Sequence, residues 1–161
     1  MIDFFNHRTI KWKNNKVIMI DQTKLPEETV YFEASNYRDV AHAIKTMIIR
    51  GAPAIGIAAA MGLGLSAFNS NAKNKNELVK DLQKARTVLK STRPTAINLF
   101  WALDQIMDKV ETSNDTISNI KKFIVKESQK MADEDIVTNK IMGKIGQEIL
   151  SNKDTVLTHC R

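Results

Sequence analysis

The sequence predicts an α+β protein that is mostly helical. A small antiparallel β-sheet comes first, then a bundle of five or six helices, then a strand that reads as the first strand of a further α/β domain. Three observations predict this. Residues 10–34 hold short alternating apolar runs bounded by turn residues, and from Asn36 the apolar spacing changes to that of a helix. Residues 53–68, "PAIGIAAAMGLGLSAF", are apolar nearly all round, which marks a central helix. Near the end, the turn "SNKD" is followed by "TVLTH", a short β-branched apolar run. The corresponding boundaries are 1–35 for the sheet, 36–152 for the helices and 153–161 for the last strand.

The elements follow in order. "IKWKNNKVIMIDQ" turns at Asn14-Asn15, a pair that tolerates left-handed conformations, so a β-hairpin is expected there. "ETVYFEA" supplies a third strand. "RDVAHAIKTMII" places Val40, Ala43, Ile44, Met47 and Ile48 on one helical stripe. Gly51 is expected to break that helix, and Pro53 suits the first turn of the next. Gly56, Gly62 and Gly64 lower helix propensity there, and the usual compensation is close approach of another backbone. Residues 77–90 form an amphipathic helix with Leu78, Leu82, Ala85 and Leu89 inward. "STRPT" ends it and Pro94 opens another. A long helical stretch then covers about 116–150, with a possible break near "ADEDIVTN".

Composition bounds the class. The chain has 161 residues, 43% hydrophobic and 26% charged, enough for a core without staples. A single cysteine excludes an intramolecular disulfide and suits a reducing compartment. The first residues lack an apolar signal-peptide core, and the apolar run at 53–68 is short for a bilayer. A cytoplasmic protein with no membrane partner is expected. Net charge is +6, and residues 51–100 carry the excess, 7 basic against 2 acidic side chains. Nucleic-acid binding is one reading of that excess. A solvated amphipathic face, with lysines spread around one helix, is the more economical one. An electropositive setting for a small phosphate ester is a third.

Two segments echo each other. Arg50-Gly51-Ala52-Pro53 and Arg93-Pro94-Thr95-Ala96 each put an arginine just before an expected helix opened by proline. A helix start has unpaired N–H groups and a partial positive charge, and an arginine adds a fork of charged donors. Gly51 and Ala52 would let a ligand reach the backbone. The pattern suits a phosphate or oxyanion; two ordinary helix starts with surface arginines also fit it. Cys160, adjacent to His159, is a candidate general acid/base or nucleophile, because side chains at the C-terminal end of a parallel strand sit where α/β folds place their sites. A buried structural cysteine is the alternative. Neighbours on a strand point to opposite faces, so His159 and Cys160 are not a natural pair. His7, His42 and His159 share no metal-ligand spacing, and there is neither a P-loop nor G-x-G-x-x-G. No metal or cofactor is expected. Asp133, Glu134 and Asp135 read as a solvated helix face, and Trp12 and Trp101 as core or interface residues.

The segments "VIMIDQTKLP", "IIRGAPAIGIAAAMGLGL", "STRPTAINLFWALDQ", "NKIMGKIGQEIL" and "VLTHC" occur in the order seen in methylthioribose-1-phosphate isomerases, and the chain resembles that family over essentially its whole length. The wider superfamily includes ribose-1,5-bisphosphate isomerases and the α, β and δ regulatory subunits of translation initiation factor 2B. "DQTKLP" and "RGAPAIG" look more like the methylthioribose-phosphate branch. The resemblance implies an N-terminal β-plus-helical domain, a Rossmann-like C-terminal domain, and a cleft between them where an aldose 1-phosphate becomes a ketose 1-phosphate in methionine salvage. It places the substrate phosphate near Arg50, Gly51 and Ala52, with Arg93 as a second cation, and makes Cys160 the match to the catalytic cysteine. The family continues Asn-Ala-Gly after that cysteine, whereas Arg161 follows it here. The catalytic aspartate and other contacts would belong to the Rossmann-like domain, so the 161-residue chain is expected to be inactive by itself. Two other classes stay open: a regulatory or phosphosugar/nucleotide-binding module of the initiation-factor type, and a nucleic-acid-binding domain. The family is homodimeric, and the helical face that would meet the second domain predicts self-association.

Overall fold

The structure, a computed structural model, describes residues 8–157. Its class is the expected one: a three-stranded antiparallel sheet followed by five α-helices. Strands β1 (Ile10–Lys13) and β2 (Lys16–Ile20) form the hairpin, and Asn14 and Asn15 make its two-residue turn with φ of 52° and 58°. Two successive positive φ angles match the twist of the flanking strands, and asparagine tolerates them. Strand β3 (Tyr31–Ala34) pairs with β2, setting Met19 opposite Phe32 and Val17 opposite Ala34. Alternation puts Ile10, Val17, Met19 and Ala34 on one buried face, which shares a single core with the helices.

Helix α1 (Tyr37–Lys45) starts at a capping box: Asn36 accepts from the amides of Arg38 and Asp39, and Asp39 accepts from the amide of Asn36. Val40, Ala43 and Ile44 are buried as expected, but Met47 and Ile48 lie past the helix end. The chain leaves the helix at Thr46, and Met47 takes a left-handed φ of 62°. Ile49 then turns back to donate to the Ala43 carbonyl and is fully buried. That packing, not Gly51, ends α1.

Helix α2 (Ala52–Asn69) is the centre of the fold, with Ile55 through Ala67 all buried. It packs against every other helix and against β1 and β2. Its length and hydropathy would allow a bilayer crossing, but 72% of the window is buried inside the protein. Helix α3 (Lys75–Lys90) turns Leu78, Leu82, Ala85 and Leu89 inward, each fully buried. Helix α4 (Ile97–Thr112) begins three residues later than expected. Pro94 sits in a preceding turn, closed by the Ala96 amide donating to the Arg93 carbonyl. Helix α5 (Ile117–Gly146) is unbroken for 30 residues, about 45 Å, and ends in a single 3₁₀ turn, Gln147–Ile149. The stretch "ADEDIVTN" does not break it, because the acidic side chains find partners without disturbing the backbone: Asp133 pairs with Arg8 at 2.6 Å and Glu134 with Lys130 at 3.4 Å.

The expected final strand is not formed over its described residues. Thr155, Val156 and Leu157 are exposed and unpaired to any strand, Leu157 at 95%. A strand needs a neighbour to complete its hydrogen bonds, and the sheet described here lies elsewhere in the fold. The rest of that run, with His159 and Cys160, lies outside the described residues.

Candidate functional site

The helix starts divide into two kinds. Helices α1, α3 and α5 are each capped by a side chain: Asn36, Asn74 and Thr116 accept from first-turn amides, and α1 and α3 also carry an acidic residue in the first turn. Helices α2 and α4 have no side-chain cap and no acidic residue in the first turn. Their first-turn N–H groups and the positive ends of their dipoles are left for an outside acceptor. These are the two starts that follow Arg50 and Arg93.

At the start of α2, Gly51 is the N-cap residue with φ 99° and ψ 130°. A Cβ at that φ is strained, so glycine is the residue that lets the chain turn from Arg50 into the helix. Arg50, Gly51, Ala52 and Pro53 are all exposed. The segment is tied down from behind. The Gln22 amide nitrogen donates to the Arg50 carbonyl at 3.1 Å, and the Gln22 backbone N–H donates to the Ile48 carbonyl at 2.9 Å. Gln22 is itself held in a turn in which Asp21 accepts from the backbone and hydroxyl of Thr23. Sequence reasoning missed Gln22 as a positioning residue. The signal was available, because "DQTKLP" is one of the segments that carry the resemblance.

At the start of α4, Arg93 is half-buried, and the preceding turn is pinned by Thr92, whose hydroxyl donates to the Leu89 carbonyl at 2.6 Å. Arg93 therefore stands five residues before Asn98, in a turn and not directly at a proline-opened helix. The two starts still meet. A Cβ built on Gly56 would lie 2.8 Å from the Asn98 carbonyl oxygen, so the second turn of α2 and the first turn of α4 run in backbone contact. Ala52 is one turn before Gly56, and Arg93 is just before the first turn of α4. Arg50, Gly51 and Ala52 thus lie four to six residues before this contact along one segment, and Arg93 five residues before it along the other.

Beside this contact a cavity of about 230 Å³ opens, lined by Pro53, Gly56, Asn98, Trp101 and Met131, with Glu134 and Asp135 of α5 at its edge. Trp101 is 56% exposed there, so it is a surface residue of this cavity and not a core residue. Trp12 is packed as expected, edge-on to Phe68 with ring centroids 6.4 Å apart. Among the described residues no group of His, Cys, Asp or Glu is arranged to hold a metal. The basic excess of α3 is largely used inside the fold. Arg86 and Lys90 both pair with Asp104, at 2.6 and 2.8 Å, and Lys75 donates to the Glu111 carbonyl at 2.7 Å. Burial pushes the Asp104 carboxyl up, but the hydrogen bonds and charges of Lys90 and Arg86 outweigh it and hold the group below its ordinary value.

A small sheet, a buried apolar central helix and two uncapped, arginine-led helix starts define an α+β class in which a helical layer presents backbone amides at its edge. The chain belongs to the Initiation factor 2 subunit family, whose sequence profile matches residues 48–161. It is similar to the methylthioribose-1-phosphate isomerase of Crocosphaera subtropica, at 44% identity over 92% of this chain and 44% of that protein. The Acetivibrio thermocellus enzyme of the same name is 43% identical over 95% of this chain and 45% of its own length. Among solved structures, the 5-methylthioribose 1-phosphate isomerase of Pyrococcus horikoshii superposes with a TM-score of 0.85 at 49% identity, covering 89% of this chain and 40% of that one. Subunit delta of translation initiation factor eIF-2B from A. fulgidus superposes with a TM-score of 0.83 at 37% identity, covering 91% and 43%. The chain spans less than half the length of these relatives.

Proposed function

We propose that this chain provides the phosphate-binding part of a methylthioribose-1-phosphate isomerase, an aldose–ketose isomerase of methionine salvage acting in the cytoplasm. The carrying observation is the contrast between helix starts: the two left uncapped are the two led by arginine. In this reading the substrate phosphate accepts from the amides of Gly51 and Ala52 and from the guanidiniums of Arg50 and Arg93. The phosphate sits on the anomeric carbon of such a substrate, so the ring must open before hydrogen moves between C1 and C2. Holding the phosphate fixes those two carbons relative to the catalytic groups. Cys160 is the proposed catalytic cysteine, with an aspartate supplied by the part of the relatives that this chain does not span. The 161-residue chain accordingly binds the phosphosugar without turning it over.

Thermal denaturation with a pentose 1-phosphate tests the binding. Stabilisation of roughly 2.7 kcal/mol is expected at a hundredfold excess over Kd, with none from the free pentose. Arg50→Ala and Arg93→Ala should each weaken binding about tenfold or more, the scale of one charge-assisted contact. Equal response to sugar and phosphosugar, or undiminished binding in both variants, rejects the site. Turnover above that of Cys160→Ala in a coupled assay rejects the claim of inactivity. The likeness to the A. fulgidus initiation-factor subunit favours a second reading, a regulatory phosphosugar- or nucleotide-binding module. A nucleoside phosphate that binds more tightly than the pentose 1-phosphate would select it.

A further inference from the structure

A second cavity lies at the other end of α2 from the candidate site. Phe68 is one residue from the end of that helix, about 24 Å along the axis from Ala52. It is 47% exposed, although the run from Ile55 to Ala67 before it is buried. The Trp12 ring meets it edge-on, with the two planes at 77°. Trp12 is held from beneath: a Cβ on Gly64 would lie 3.1 Å from its ring, so the indole rests on the backbone of α2. The two rings and the second and third turns of α5 frame a cavity of about 280 Å³.

The charge around this corner has one sign. Lys121, Lys122 and Lys126 line the cavity, and no carboxylate does. Lys121 donates to the Ser70 carbonyl and so closes the end of α2. Lys122 and Lys126 are exposed and form no ion pair with a described residue. They stand four residues apart on one helix, a spacing at which like charges repel. An anion held between them removes that repulsion. The cavity is smaller than the roughly 300–1,000 Å³ of a whole-ligand pocket, so it suits one ring system. Its lysines are at the open surface, where a chain of phosphates can run past. A fixed aromatic corner flanked by unpaired cations suits stacked bases on an anionic backbone, and the rings lose little freedom on binding. We propose that this corner binds single-stranded nucleic acid, with one base stacked on Phe68 beside Trp12 and the adjoining phosphates on Lys122 and Lys126. This is a second site, separate from the phosphosugar site proposed above.

Fluorescence of the Trp101→Phe protein tests it, because Trp12 is then the only tryptophan. An oligothymidylate of about 12 nucleotides should quench Trp12 emission saturably at low salt. Replacing Lys122 and Lys126 together by alanine should weaken binding about tenfold or more. It should also reduce the slope of log affinity against log salt by about 1.4. Phe68→Ala should weaken binding about tenfold with the slope unchanged, since stacking releases no counterions. The circular dichroism of these variants should match the parent, because the three side chains are exposed. A duplex of the same length, its bases already stacked and paired, should bind at least about tenfold more weakly at the same salt. Unmoved Trp12 emission overturns the proposal, as does either variant binding as tightly as the parent. Equal affinity for the duplex or for polyglutamate overturns it too, by reducing the effect to charge. So does a response to phosphatidylserine vesicles but not to the oligonucleotide, which would make the corner a membrane contact. Displacement of the oligonucleotide by excess pentose 1-phosphate would place it at the opposite end of α2 and also overturns the proposal.

Discussion

A methyl group at position 56 would have nowhere to go. Its carbon would sit 2.8 Å from the Asn98 carbonyl oxygen and 3.2 Å from the carbonyl carbon, and both atoms belong to backbone held in α4. Position 62 differs, because a methyl there would meet side chains and not backbone, Leu89 at 3.1 Å and Val40 at 3.4 Å, and side chains can shift. Replacing glycine by alanine inside a helix gains about 1 kcal/mol of propensity. Overpacking against an unyielding neighbour costs about 1–3 kcal/mol. Gly56→Ala should therefore destabilise the protein by about 1 kcal/mol net, and Gly62→Ala should be near neutral or slightly stabilising. Paired urea titrations would show it, and an unchanged midpoint for Gly56→Ala would mean that α2 and α4 separate more easily than their packing implies. From the sequence it was legible that glycines in an all-apolar helix answer to a close neighbour. Which glycine meets backbone depends on where α4 crosses, and no local pattern contains that.

At the scale of elements, the join between α3 and α4 rests on Asp104 held between Arg86 and Lys90. All three side chains are partly solvated, Asp104 at 42%, so the network is worth much less than a buried one. Its carboxyl is held below its ordinary value in the folded protein. A depressed folded-state value means that the contribution is present at pH above the unfolded carboxylate value, about 3.9, and is lost as the pH falls through the folded one. Asp104→Asn should cost about 0.5–1 kcal/mol at neutral pH. The gap between the two proteins should close as the pH drops below about 4. Denaturant melts of both proteins at neutral and acid pH would reveal this, and a gap independent of pH would assign the loss to packing instead. Sequence reasoning assigned these basic residues to a solvated face, which holds for the helix but misses the bridge, because ion pairs between helices leave no periodic trace.

Across the whole molecule, the parts legible from sequence were those fixed by composition and period. An all-round apolar helix must be central, and Asn14-Asn15 between alternating runs must turn. The misplaced boundaries are those where tertiary contacts override local signals. Burial of Ile49 ends α1 at Lys45, and the turn at Arg93 delays α4. In the candidate site, Arg50 and Arg93 were readable as preceding helix starts, but the hold of Gln22 on the Arg50 carbonyl has no local period, and only the segment "DQTKLP" pointed to it. The same distinction between local and tertiary support applies along α5. The helix is continuous in its hydrogen bonds, yet Ile120, Ile124, Ser128 and Ala132 are buried while residues 137–145 are all exposed among the described residues. A helical segment of that length is marginal in water without packing. Its opening free energy should lie near zero, whereas the packed half should open only with the whole protein, at about 5–15 kcal/mol. Hydrogen exchange should then show amides at 137–146 exchanging at least about a hundredfold faster than those at 120–132. Uniform protection along α5 would mean that its second half is held as firmly as the first despite its exposure.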